Sequence, residues 1–244
     1  NHVSNGSDYQ YKLTYIMTEP SKLGTVLGSY LKTEMMPRLV SDLKKKKIET
    51  TPYVNTFHET PDQGFAQFYD SPRYTTGYTS LFNSIGFVVE THMLKNYSDR
   101  VKVTYEFMKS TLEFTDANAT TIKQKRQENE AQFQPNKNYT LQWEVDNSVK
   151  EPFTFLGYEA GYKKSEATTG QRLFYDRNQP FKKEVPFFPQ YKSVKDVFIK
   201  SKTMLAQYLS VSSGIFTVYG KQIIDLFNDN STQVQSLLDP KYFA

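Results

Sequence analysis

Hydrophobic and polar positions change period several times along the chain. Residues Tyr11–Met17 (YKLTYIM) are β-rich and stop at Glu19-Pro20, which predicts a strand. Apolar residues then return at helical spacing: Leu23, Val26, Leu27, Tyr30, Leu31, Met35, Leu39 and Leu43. Ser21 is the expected N-cap. Pro37 is expected to kink or split the helix, since proline lacks the N–H an interior turn needs. Lys44–Lys47 closes it, cations at the negative end of the helix dipole and plainly a solvated end. Residues 49–77 hold Pro52, Pro61, Gly64, Pro72 and Gly77 without a sustained period, so a long irregular loop is expected, a common place for function. Ile85-Gly86-Phe87-Val88-Val89 is apolar without alternation, as in a strand buried on both faces of a parallel or mixed sheet, and Glu90 ends it. Ser98 is the expected cap of a helix with Val101, Tyr105, Met108 and Leu112 on one face. Thr121–Gln132 is nearly all polar and predicts a solvated helix. Around Pro135 the character changes: Tyr139–Val145, Phe153–Tyr162, Gln171–Tyr175 and Phe181–Phe188 read as strands. Thr203–Leu238 fits no single pattern, with Lys221–Phe227 as a possible short helix. No internal repeat is visible.

The fold class expected is α/β: a mixed-sheet α/β domain over residues 1–134, followed by a β-rich, sandwich-like domain over 135–244. The 244 residues suit one large domain or two small ones. Tyrosine and phenylalanine number 18 each against one Trp, so aromatic rings supply much of the core and of any wet cleft. A net charge of +4, evenly interleaved, is too weak to argue for nucleic acid. No apolar run reaches the roughly 20 residues of a membrane helix. The absence of cysteine removes disulfides, thiol nucleophiles and thiolate zinc sites. The chain opens on Asn1 in mid-motif, so it is expected to be a piece of a longer precursor.

The candidate chemistry is sparse. The histidines are His2, His58 and His92, and no pair of them has metal-site spacing. No Gly-x-Ser-x-Gly elbow or phosphate-cradling glycine loop is present. Glu90 stands at the carboxyl end of an apolar strand, where open α/β sheets place their ligands. Shielded by Val and Phe, it suits general-base work; the plain alternative is a glutamate that caps the next turn. His2 precedes a turn, and its plain reading is a terminal surface histidine. His92 is expected to support Glu90 or to make a turn hydrogen bond, and His58 to lie at the surface.

Three segments carry a resemblance: His2-Val3-Ser4-Asn5-Gly6-Ser7-Asp8-Tyr9-Gln10-Tyr11, Pro72-Arg73-Tyr74-Thr75-Thr76-Gly77-Tyr78, and Gly86-Phe87-Val88-Val89-Glu90-Thr91-His92-Met93-Leu94-Lys95. In this order they resemble the zinc metallocarboxypeptidases, the carboxypeptidase A-like enzymes, and within them an exported bacterial branch. The similarity continues into Gly157-Tyr158-Glu159-Ala160 and Arg172-Leu173-Phe174-Tyr175-Asp176-Arg177, and stops near Phe198. The resemblance implies a C-terminal part of a carboxypeptidase-like domain that hydrolyses C-terminal peptide bonds with Zn2+. His2 matches the later zinc-binding histidine, and Glu90 the glutamate that activates the zinc-bound water. Tyr74 matches the mobile tyrosine over the substrate, with Tyr78 as competitor. The family's His-x-x-Glu and its carboxylate-binding Asn-Arg pair have no match here and would lie upstream of Asn1. The implied partners are a peptide or protein C-terminus and the missing N-terminal part. The implied location is periplasmic or extracellular. The competing expectations are a non-catalytic module of the same fold that binds peptide or glycan in an aromatic cleft, and a structural accessory protein.

Overall fold

The computed structural model describes residues 7–56, 60–133 and 137–199. His2, His58, Pro135 and the stretch Thr203–Leu238 lie outside these residues.

The first strand, β1 (Leu13–Met17), is the middle of a three-stranded mixed sheet. It pairs in parallel with β2 (Thr50–Pro52) and antiparallel with β5 (Phe87–Thr91). Strand alternation divides its side chains. Leu13 and Tyr15 enter a core with Leu23, Leu27, Leu31, Leu39 and Leu43, while Thr14 and Ile16 belong to the other face. Each leucine so buried contributes about 1.5–3 kcal/mol.

Those leucines ride on a nearly continuous helical run. A 3-10 turn (Pro20–Leu23) leads into α1 (Gly24–Tyr30), a π-helical turn (Leu31–Met35) and α2 (Met36–Lys45). One expectation needs correction here. The cap is Glu19 rather than Ser21: its carboxylate accepts the Ser21 N–H at 2.8 Å. Pro37 stands in the first turn of α2, directly after the wider π turn that divides α1 from α2 and sends the Met36 N–H to Leu31, five residues back. Gly24 has a φ of 77°, and a Cβ there would stand 2.7 Å from Asn129 Oδ1, so this corner requires glycine. Asn129 in turn accepts the Leu27 N–H at 3.2 Å.

Residues 49–77 are less irregular than expected. Besides β2 they contain β3 (Asn55–Thr56), a 3-10 turn (Pro61–Gln63) and β4 (Phe65–Ala66). A short helix, α3 (Thr75–Ser80), precedes β5. β5 is an edge strand rather than one buried on both faces, and Phe87, Val88 and Val89 are only half-buried.

α4 (Tyr97–Ala117) corrects a further expectation. Asn96, not Ser98, sits at the cap position. Val103 and Phe107 turn inward, whereas Val101, Tyr105, Met108 and Leu112 are 48–68% exposed. The two apolar stripes are offset by two residues, a little over half a turn, so they lie on opposite faces. α5 (Ala119–Glu130) follows and is largely solvated, as its polarity predicts.

Downstream, β6 (Lys137–Val145) and β9 (Tyr191–Ile199) form a two-stranded ribbon, and β7 (Glu151–Lys164) and β8 (Gln171–Phe188) a long hairpin. The hairpin joins β3 and β4 in one sheet of order β3-β4-β8-β7, with β4 parallel to β8. Phe65, Phe155, Val185 and Phe187 fill a second core with Tyr9, Tyr11 and Val54. The described fold is thus mixed α/β. Among the described residues, no helix is long and apolar enough to cross a membrane.

Candidate functional site

Glu90 lies in the last turn of the pleat of β5, opposite Thr14 of β1, and is 3% exposed. The Thr14 hydroxyl donates to the Glu90 carbonyl at 3.4 Å. Tyr53 follows β2 and is fixed by its N–H to the Tyr15 carbonyl at 2.9 Å. Its phenol is buried, and that burial pushes its pKa up; the neighbouring Glu90 and Tyr74 charges push the same way. Tyr53 therefore lies within electrostatic reach of both Glu90 and Tyr74. Phe68 links the phenols: its ring is edge-on to Tyr53 at 5.4 Å and to Tyr74 at 5.1 Å.

Tyr74 stands in extended conformation just before α3, half-buried, with the Arg73 guanidinium 4.9 Å from its ring. Its N–H bonds the Ser71 carbonyl at 2.8 Å. A Cβ on Gly77 would meet the Asp70 and Ser71 carbonyls at 2.4 Å, so this glycine lets α3 settle directly on the preceding turn. Tyr78 points elsewhere: it is 52% exposed and packs on Phe82 at 5.1 Å.

His92 is 1% exposed. Its Nδ1 accepts the Leu94 N–H at 3.1 Å, the turn hydrogen bond that sequence reasoning allowed. That bond assigns the ring proton to Nε2, which donates to the Ser7 carbonyl at 2.9 Å and lies 3.4 Å from Asp8 Oδ1. Burial drives the imidazole pKa down; the Ser7 carbonyl and the Asp8 carboxylate act against it. Asp8 also takes Arg177 Nε from β8 at 2.7 Å, and Lys95 donates to the Tyr9 carbonyl at 2.7 Å. The segment that continues from His2 is in this way tied to the chain two residues beyond Glu90.

A second group of buried acids was not anticipated. Glu19, after β1, faces Asp70 of the Tyr74 loop, with Lys22 beside them at 3.1 Å from Asp70 Oδ1. The two acids are 51 residues apart. No local sequence signal joins residues so far separated.

Among the described residues, no group of three His, Asp or Glu side chains could hold a metal ion. A cavity of about 560 Å³, lined by Thr25, Phe133, Tyr139 and Trp143 among others, touches neither Glu90 nor Tyr74. The assembled chemistry is a buried carboxylate at a strand end with phenols able to donate hydrogen bonds, which suits proton transfer and the binding of an acyl group. No family model, curated protein or solved structure matches this chain.

Proposed function

We propose that the chain is the later part of a zinc-dependent metallocarboxypeptidase, built on a carboxypeptidase-like α/β domain, in which Glu90 is the general base and Tyr74 closes over the substrate. The observation that carries this reading is Tyr53, which lies within electrostatic reach both of the buried Glu90 near the end of β5 and of Tyr74. When bound, zinc would polarise the scissile carbonyl and an attacking water. The described residues do not make a metal site by themselves, so the ligands in this reading are His2 and a His-x-x-Glu upstream. Glu90 takes the proton of the attacking water and returns it to the leaving amine, a transfer worth roughly 10²–10⁴-fold. The Tyr74 hydroxyl donates a hydrogen bond to the substrate, and the Tyr- and Phe-rich residues 49–77 line its pocket.

Among the described residues the apolar stripe of α4 is exposed, which supports a unit covered by further protein, in this reading the upstream part of the same domain. The substrate would be a peptide or protein C-terminus outside the bacterial cytoplasm. The test uses the protein extended upstream. It is expected to bind one zinc and to release the last residue of a peptide with a free carboxylate, but not of its C-terminal amide. His2→Ala is expected to lower zinc stoichiometry. Equal cleavage of both peptides, or unchanged zinc in the variant, would overturn the reading.

A further inference from the structure

The loop that carries Tyr74 is held at both ends by the residues that follow β1. At one end Asp70, fully buried, takes the Glu19 N–H at 3.4 Å and Lys22 Nζ at 3.1 Å on Oδ1. Lys22 Nζ also donates to the Asp70 backbone carbonyl. At the other end the Thr18 hydroxyl donates to the Thr76 carbonyl at 3.1 Å. Tyr74 lies between these anchors.

Glu19 is the unexplained member of the group. It is 1% exposed, and its carboxylate takes the Ser21 N–H at 2.8 Å and the Ser21 hydroxyl at 3.2 Å. It faces Asp70 and Lys22. Two phenols complete the surroundings: Tyr69, with Lys22 Nζ 5.1 Å from its ring, and Tyr191 of β9, whose hydroxyl donates to the Gln67 carbonyl at 2.8 Å. Thr76 adds a hydroxyl beside Asp70. Lys22 is the cation that both carboxyls feel.

We propose that Glu19 is a positioning residue for Tyr74: with its proton on, it leaves Lys22 to Asp70 and the loop stays fixed against β1; with its proton off, it competes for Lys22 and releases the loop. The inference rests on the reading of Tyr74 as the residue that closes over the substrate. Burial and the Asp70 charge push the Glu19 pKa from 4.5 up to about 7. In the released loop the carboxyl is solvated and its pKa falls back. The fixed state is therefore favoured fully below about 4.5, loses up to about tenfold per pH unit between 4.5 and 7, and levels off above that.

Hydrogen–deuterium exchange of peptides spanning residues 68–80 in the full chain, corrected for intrinsic rates, reads the loop directly. Wild type is expected to lose protection from pH 5 to pH 7. Glu19→Gln is expected to keep its low-pH protection and to show a much shallower slope than wild type. Equal slopes in the two proteins, or a flat wild-type profile, would overturn the proposal. Should Glu19→Gln fail to fold, carboxyl-carbon NMR of wild type decides instead. A Glu19 titration near 7 that moves the Tyr74 amide supports it, and a titration near 4.5 overturns it. Neither measurement involves turnover, so a failure of the peptidase reading would show separately, as absent hydrolysis in the extended protein.

Discussion

Glu19 and Glu90 are both carboxylates buried at the ends of strands in one small sheet, yet their surroundings differ. β1 and β5 run antiparallel, with Leu13 opposite Thr91 and Met17 opposite Phe87, so the two acids sit at opposite ends of the sheet. At one end Glu90 is neighboured by the phenol of Tyr53, which in turn lies near Tyr74. At the other, Glu19 meets a second carboxylate and a lysine. A buried acid among neutral donors is poised for proton transfer with an outside molecule. A buried acid against another acid is a constraint on the protein itself, since one must hold a proton or share a cation. Residues 70–76 run between the two, with Asp70 against Glu19 and Tyr74 near Tyr53.

Substitutions on α4 give the largest effect expected on stability, and they test which parts of this architecture bear the fold. Phe107→Ala empties a position in the core that backs the Glu90 strand and is expected to cost about 3–5 kcal/mol in urea melts. Leu112→Ser on the opposite stripe is expected to cost within about 0.5 kcal/mol. A large loss from Leu112→Ser would mean that this stripe is covered within the chain. Next, Gly77→Ala drives a methyl into two carbonyls and is expected to cost about 1–3 kcal/mol. Its measurable mark is a loop over residues 68–80 that exchanges faster at every pH, unlike the pH-selective effect of Glu19→Gln.

The smallest effect is in the pH profile of stability. Glu19 is raised, so its contribution is full below about 4.5 and is lost as pH rises to about 7. Asp70, raised mainly by burial, acts with the same sign. His92 is lowered, so its contribution is present above 6.5 and lost as pH falls through its folded value. Glu19→Gln is thus expected to move the stability maximum to higher pH, with a slope change of at most about 1.4 kcal/mol per pH unit. An unmoved maximum in melts between pH 4.5 and 8 would show that Glu19 titrates like an exposed acid.

The parts of the fold legible in the sequence are those with a sustained period. Leu23 through Leu43 gave α1 and α2 because seven or more apolar positions agreed, and Tyr11–Met17 gave β1. α4 carries two apolar stripes, and spacing alone does not rank Phe107 above Leu112. β3 and β4 span two residues each, too short for any period. β4 exists because Phe65 pairs with Phe187, a contact no local pattern reveals. Glu90 stood out because it closes an apolar run. Tyr53, Asp70 and Glu19 did not, since their roles come from chain segments that meet only in three dimensions. His2 lies outside the described residues.

The most direct test of the proposed general base is the turnover of Glu90→Gln in the zinc-loaded protein extended upstream, measured with a peptide of free C-terminus. The account predicts unchanged zinc content and a kcat lower by roughly 10²–10⁴-fold. A variant that holds its zinc and cleaves at the wild-type rate would contradict it.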